Sequence, residues 1–163
     1  MIHKNVFLLI GSNSGDRLGQ LNQAHEFIAK EIGSAVAKSK IYETAPWGKT
    51  DQPHFLNQAL RIETPFSPHE LLFKVQSIEQ KLGRTRMEKW GERLIDIDII
   101  YFEDKIIDSS NLAIPHPHLT ERKFVLIPLT EISPEFIHPI LQKSNAQLLK
   151  ECTDTLSVKE FIS

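Results

Sequence analysis

The segment Ile95-Asp96-Ile97-Asp98-Ile99 constrains this chain more than any other. Its period of two fits a strand and not a helix, so Asp96 and Asp98 share one face while Ile95, Ile97 and Ile99 share the other. The isoleucine face must cover a core. Aspartate is depleted in strands, and two carboxylates on one face repel, so the other face needs an offsetting positive charge. Two arrangements meet that need. Hard carboxylate oxygens on one strand suit Mg²⁺, which completes its shell with water and phosphate oxygens. The alternative is a half-exposed strand with a wet outer face.

The rest of the chain supplies the partners of that strand. Residues 3–10 are β-branched and aliphatic and predict a strand, closed by the tight loop Gly11-Ser12-Asn13-Ser14-Gly15-Asp16. Leu18, Leu21, His25, Ile28 and Ile32 recur at helical spacing, which predicts a helix over 16–32 with Asp16 as its cap and Gly33 as its stop. Residues 36–44 predict a strand that ends at Ala45-Pro46-Trp47-Gly48, and residues 55–63 predict the next. Ser67-Pro68-His69-Glu70 is a capping box with proline at the first helical position, followed by Leu71, Val75, Ile78 and Leu82, so a helix is expected over 68–82. A polar loop over 84–94 leads to the strand 95–102. Then come a turn at Glu103-Asp104, a short strand over 105–108, an extended Ile114-Pro115-His116-Pro117-His118, a helix over 120–132 broken or kinked at Pro128, and a helix over 145–151. The order strand, helix, strand, strand, helix, strand is that of an α+β, ferredoxin-like βαββαβ core with extra C-terminal strands and helices. The 163 residues are expected to form one domain, 1–163.

Charge and composition narrow the function classes. A net charge of −2 argues against bulk attraction to nucleic acid or to an anionic membrane. The single cysteine, Cys152, removes an internal disulfide and any cysteine-based zinc cluster. The apolar run from Val6 to Ile10 is too short for a signal peptide or a membrane span. A cytoplasmic monomer is the expectation.

The loop before Ile95 holds Arg84, Arg86, Lys89 and Arg93, with Trp90 among them. Arginine forks suit phosphate oxygens, so this loop beside two carboxylates can neutralise a polyphosphate and its metal. It reads either as a lid over a site or as a solvated charged loop with its tryptophan tucked into a core. No Walker-type phosphate loop is present, and Gly11-Ser12-Asn13-Ser14-Gly15 lacks its lysine. Phe55 and Asn57 share one strand face, an aromatic and an amide that suit a flat heteroaromatic ligand, or equally a core with one satisfied polar group. Gln76 and Glu79 flank the apolar stripe of their helix, placed for a base or ribose or for solvent. His116 and Arg122 are candidate phosphate partners; a zinc site at the Pro-His-Pro-His run lacks further ligands.

Jointly these motifs resemble the 6-hydroxymethyl-7,8-dihydropterin pyrophosphokinase family of the folate pathway. The resemblance is carried by Gly11-Ser12-Asn13, by Tyr42-Glu43-Thr44-Ala45-Pro46-Trp47-Gly48 and by Asp51-Gln52-Pro53-His54-Phe55-Leu56-Asn57. It continues through Glu79, Gly83-Arg84-Thr85-Arg86, Trp90-Gly91 and the run from Arg93 to Ile99, and ends at Pro115-His116 and the stretch from Arg122 to Leu129.

The resemblance implies a ferredoxin-like fold and Mg²⁺-dependent transfer of a pyrophosphoryl group from ATP to the pterin's hydroxymethyl oxygen, with AMP leaving. Asp96 and Asp98 would bind two Mg²⁺ ions. Arg84 and Arg93 would stabilise the transferring group. Arg86, Trp90, Arg93, His116 and Arg122 would meet the nucleotide or the closing loop, and Gln76, Glu79 and Ile99 its adenosine side. Phe55 and Phe124 would sandwich the pterin, with Asn57 and the backbone around Thr44, Pro46 and Gly48 at its edge. The sequence departs from the family pattern at Ala45 and Trp47, where Pro and Leu are common, and at Phe55, which replaces a frequent Tyr. The loop between Arg86 and Trp90 is one residue shorter. A ferredoxin-like module that binds a ligand without chemistry needs neither the paired carboxylates nor the arginine loop. An RNA-binding version of the fold needs a basic-glycine-aromatic motif that is missing.

Overall fold

The computed structural model describes residues 2–45, 53–83 and 95–162. In chain order its elements are β1 (Lys4–Ser12), α1 (Arg17–Glu31), β2 (Ser34–Lys38), β3 (Tyr42–Thr44), β4 (Phe55–Thr64), α2 (Pro68–Lys81), β5 (Asp96–Phe102), β6 (Ile107–Asp108) and β7 (Ala113–Ile114). A 3-10 turn (Leu119–Glu121), α3 (Lys123–Ile132), α4 (Asn145–Glu151) and β8 (Val158–Glu160) follow.

Local signals set both leading helices. The Asp16 carboxylate accepts from Gly19 N at 3.0 Å and starts α1, whose buried side is Leu21, Ala24 and Ile28. In α2 the capping box closes both ways, Glu70 N to Ser67 Oγ at 3.3 Å and Ser67 N to Glu70 Oε1 at 2.9 Å. Gly83, with φ 84°, occupies the left-handed region just past α2, where a side chain would strain the turn.

The main sheet runs β5-β1-β4-β3-β8, with β2 also paired to β4, and every neighbouring pair is antiparallel. Core strands one to four of the βαββαβ pattern thus lie in the order 4-1-3-2, as a ferredoxin-like sheet requires. One face packs on α1 and α2 through Val6, Leu8, Ile10, Leu56, Leu60, Ile62, Ile95, Ile97 and Ile99. The other carries Phe7, Leu9, Ala59, Ile100 and Tyr101 against Val125, Leu126 and Leu129 of α3 and Leu148 of α4. A bulge adds Tyr101 to the second face. The β1–β5 register shifts between Phe7 and Leu8, so that Phe7 pairs with Tyr101 but Leu8 with Ile99. Ile100 is the extra residue, and it and Tyr101 both join the α3 side.

Three expectations need correction. Residues 36–44 are not one strand. Ser39 interrupts the ladder and replaces it: its N donates to Ala59 O at 2.9 Å, its Oγ accepts from Ala59 N at 3.0 Å, and its carbonyl accepts from Gln58 Nε2 at 2.6 Å. Residues 114–118 are extended only at the start. His118 N donates to His116 Nδ1 at 3.2 Å and closes a turn at 117–118, which Pro117 permits because its own φ is already turn-like. Finally, the helix expected over 120–132 starts only at Lys123, and of the kink or break expected at Pro128 the break is absent. The discontinuity falls at Arg122, which is extended (φ −131°, ψ 110°) between the 3-10 turn and the helix. Proline removes only one N–H there, the one that would serve the Phe124 carbonyl in the first turn.

Candidate functional site

A row of cross-strand neighbours runs Asp96 on β5, Gly11 on β1, Asn57 on β4 and Tyr42 on β3. One step along, Thr44 faces Phe55. Cross-strand partners share a face, so these residues and Asp98 lie on the α3 side of the sheet, beyond the part that α3 covers. Gly11 is what leaves the middle of the row low. A Cβ there would collide with Asn57 Oδ1, so only glycine lets the amide lie across β1 toward the carboxylate strand.

Further along β4 on this face Arg61 Nε is buried with no hydrogen-bond partner among the described residues, and at the end where the row stands there are two such atoms, Thr44 Oγ1 and Asn57 Nδ2. Their residues are only 2% and 4% exposed. Leaving such an atom unpaired costs about 1–3 kcal/mol, so two of them at the β3–β4 end of the face are candidates for bonds to another molecule. Thr44 was expected to contribute backbone only; the structure adds its hydroxyl.

Asp96 and Asp98 lie on one face of β5, both half-buried, with Ile95, Ile97 and Ile99 in the core behind them. Among the described residues no three His, Cys, Asp or Glu side chains gather as a metal cage. A two-carboxylate set of this kind fits Mg²⁺, which takes few protein oxygens and fills its shell from phosphate and water.

Glu79 is not a solvated flank. It is 5% exposed, and its Oε2 accepts from Ile97 N at 2.9 Å, satisfying an outward N–H of the edge strand. The Ile99 side chain is in the core, which leaves its backbone for any ligand contact. Gln76 is exposed on α2.

His116 is tied to the carboxylate strand through its backbone, whose N donates to Ile100 O at 3.0 Å. Its Nδ1 accepts from His118 N, so in the neutral ring the proton sits on Nε2. Burial, then the positive charge of Arg122 and the neighbouring His118, push its pKa down to about 4, which keeps it a neutral donor. The Arg122 guanidinium lies 5.6 Å from the Phe124 ring centre, and Phe124 packs half-buried against the α3-side core.

Pro46, Gly48, Arg84, Arg86, Trp90 and Arg93, also expected at the site, lie outside the described residues. Two contacts at its margin had no local sequence signal. Tyr42 Oη donates to Glu131 Oε1 of α3 at 2.6 Å, and its pKa is pushed up to about 12 by burial and by that carboxylate. On the opposite face Arg17 Nη1 donates to Glu43 Oε2 at 2.7 Å and to His54 O at 2.8 Å.

Residues 7–134 match the family model described as 7,8-dihydro-6-hydroxymethylpterin-pyrophosphokinase (HPPK). The chain is 46% identical over 133 residues to the 2-amino-4-hydroxy-6-hydroxymethyldihydropteridine pyrophosphokinase of Methylorubrum extorquens, covering 81% of this chain and 84% of that protein. It is 40% identical over 156 residues to the protein of the same name from Aquifex aeolicus, covering 96% and 94%. The folic acid synthesis protein fol1 of Schizosaccharomyces pombe is 43% identical over 155 residues, which make up 94% of this chain and 21% of that protein. The crystal structure of wild-type Plasmodium falciparum HPPK-DHPS with pteroate superposes with a TM-score of 0.77 at 17% identity, over 91% of this chain and 44% of that one, and supports the fold.

Proposed function

The chain belongs to the 6-hydroxymethyl-7,8-dihydropterin pyrophosphokinase family and is a pyrophosphokinase of folate biosynthesis; from that premise we propose how its residues divide the work. The family is ATP-dependent and generally uses Mg²⁺.

The pterin lies along the β3–β4 end of the sheet face. Thr44 Oγ1 and Asn57 Nδ2 meet its polar edge, joined by the backbone of Pro46 and Gly48. Phe55 offers a ring to one side of the bicycle and Phe124 to the other, an arrangement that gains from stacking as well as from area. The nucleotide lies toward β5. Gln76, Glu79 and the Ile99 backbone stand on its adenosine side. His116 donates from Nε2 to a phosphate oxygen without adding charge, and Arg122 adds charge. Arg86 and Trp90 join the nucleotide, on sequence position alone.

Asp96 and Asp98 would hold two Mg²⁺ ions, which when bound neutralise the triphosphate and align it. The pterin hydroxymethyl oxygen then attacks the β-phosphorus, the bond to the α-phosphate oxygen breaks, and AMP leaves. Arg84 and Arg93 offset the charge that develops on the transferring group. Phosphoryl-type transfer asks mostly for positioning and charge stabilisation, and this set of residues supplies both. The reading takes the protein as a cytoplasmic monomer.

The observation that carries the reading is the row Asp96–Gly11–Asn57, which sets a half-buried carboxylate and an unpartnered amide on one face with only a glycine between them. The test separates nucleotides after incubation with MgATP and 6-hydroxymethyl-7,8-dihydropterin. AMP that appears only when the pterin is present supports the division of roles. ADP as the product would remove attack at the β-phosphorus.

A further inference from the structure

The pterin edge is framed from behind. Thr44 and Phe55 are cross-strand partners on the open face, and their neighbours Glu43 and Leu56 pair on the α1 side. There a single nitrogen of Arg17, at the first turn of α1, bonds to both halves of this small ladder: Glu43 Oε2 at 2.7 Å and His54 O at 2.8 Å. Glu43 precedes Thr44, and His54 precedes Phe55. The arginine therefore ties together the two strand ends that carry two proposed pterin contacts, without facing the pterin itself. It is only part-exposed, with 26% of its side chain accessible against 34% for Glu43, so the pair is shielded more than a surface ion pair.

Two further contacts point the same way. Asn13 Nδ2 donates to Pro53 O at 3.3 Å, holding the loop before α1 to the approach to β4. The Arg17 guanidinium also lies 5.8 Å from the Phe161 ring centre, and Phe161 N donates to Ile41 O at 2.8 Å. Phe161 follows β8, the strand that extends the sheet beyond β3, and it lies past the residues that match the family model. The C-terminal segment thus backs the arginine.

We propose that Arg17 is a positioning residue for pterin binding, which through Glu43 and the His54 carbonyl fixes the spacing of Thr44 and Phe55, with Phe161 as its backing. The inference rests on the reading of Thr44, Phe55 and Asn57 as pterin contacts. It explains why a charged pair should stand on the helix side of β3: the charge is used for geometry on the far face.

The experiment compares Arg17→Ala, Arg17→Lys, Glu43→Gln and Phe161→Ala with wild type, alongside Thr44→Val and Asn57→Ala. Readouts are KM for pterin, KM for ATP, kcat and melting temperature. Arg17→Ala should raise the pterin KM about fivefold or more while the ATP KM stays within about twofold, and Arg17→Lys should recover most of the loss. Glu43→Gln should act in the same direction, and combined with Arg17→Ala should add little, because both remove one contact. Phe161→Ala should give a smaller shift of the same kind. An unchanged pterin KM in Arg17→Ala, with Thr44→Val and Asn57→Ala both impaired, overturns the positioning role and leaves the pterin edge standing. Equal rises in both KM values with a lowered melting temperature also overturn it, because they mark a merely structural ion pair. Should Thr44→Val and Asn57→Ala themselves leave the pterin KM unchanged, it is the pterin-edge reading that fails.

Discussion

At one end of the sheet face turned toward α3, Phe7 and Tyr101 pack edge to face at 5.7 Å, and Phe136 closes on both rings at 4.9 and 4.4 Å. At the other end of the same strands stand Gly11, Asn57, Asp96 and Asp98. Both ends bury polar atoms, and each holds one buried asparagine whose bonding differs. The Tyr101 hydroxyl donates to Asn145 Oδ1 at 2.8 Å, and Asn145 Nδ2 in turn donates to Ser133 O at 2.9 Å, which closes the chain onto the backbone before α4. The Asn57 amide nitrogen and the Thr44 hydroxyl meet no partner among the described residues. Asn145 is bonded into the fold through both ends of its amide, whereas the Asn57 amide nitrogen is left open for the proposed pterin contact. Burial does not distinguish the two asparagines, since Asn145 is 0% exposed and Asn57 only 4%.

Substitutions at the two ends should therefore fail in different assays. Asp96→Asn and Asp98→Asn are each expected to lower turnover about a thousandfold or more with little change in melting temperature, because carboxylate charge is lost where phosphate and metal charge must be balanced. Steady-state rates beside thermal melts check this, and near-normal rates in both variants would break the comparison at its functional end. Tyr101→Phe should do the reverse. It strands a buried amide oxygen at a cost of about 1–3 kcal/mol, read as a lowered denaturant midpoint, while kcat and both KM values hold. Phe55→Ala is smaller again: calorimetry should show pterin affinity falling by about 1 kcal/mol beyond the loss of contact area, with ATP affinity unchanged.

The weakest effect is that of pH on His116. Its pKa in the fold is about 4, below the ordinary 6.5, so the unfolded chain takes up the proton first as pH falls. Its contribution to stability is complete above about pH 6.5 and is lost as pH falls toward 4. Denaturant midpoints measured across that window should slope downward with acid in the wild type and less so in His116→Gln. Identical slopes would show that the ring is not held neutral by its surroundings.

The parts of the molecule that were legible in the sequence are those whose cause is local. The Ser67 capping box, the Asp16 cap and the bounds of α4 depend on residues three or four apart, and they stand where the pattern put them. The shared face of Asp96 and Asp98 follows from strand geometry alone. What was not legible depends on side chains brought together from afar. Nothing near Ser39 announces that Gln58 and Ala59 will take over its backbone bonds. Strict alternation along β5 cannot foresee the bulge at Ile100, which is set by pairing with β1. Glu79 looked like a helix flank because the N–H it serves lies 18 residues on, and Arg17 gave no signal because its partners lie 26 and 37 residues away. The same holds for the empty hydrogen-bond positions of Thr44 and Asn57. A motif can nominate these residues, but only the fold shows which of their atoms are left without a partner.

The central claim is that those two atoms are kept unpaired for a ligand, at a cost to the fold. It is tested most directly by measuring pterin affinity and denaturant midpoint together for Asn57→Ala and Thr44→Val. The account predicts that pterin affinity falls about tenfold or more while the midpoint stays level or rises, since each variant removes a buried polar atom that the fold does not satisfy. Unchanged affinity with a lowered midpoint would contradict it, and would return both residues to the structural end of the sheet.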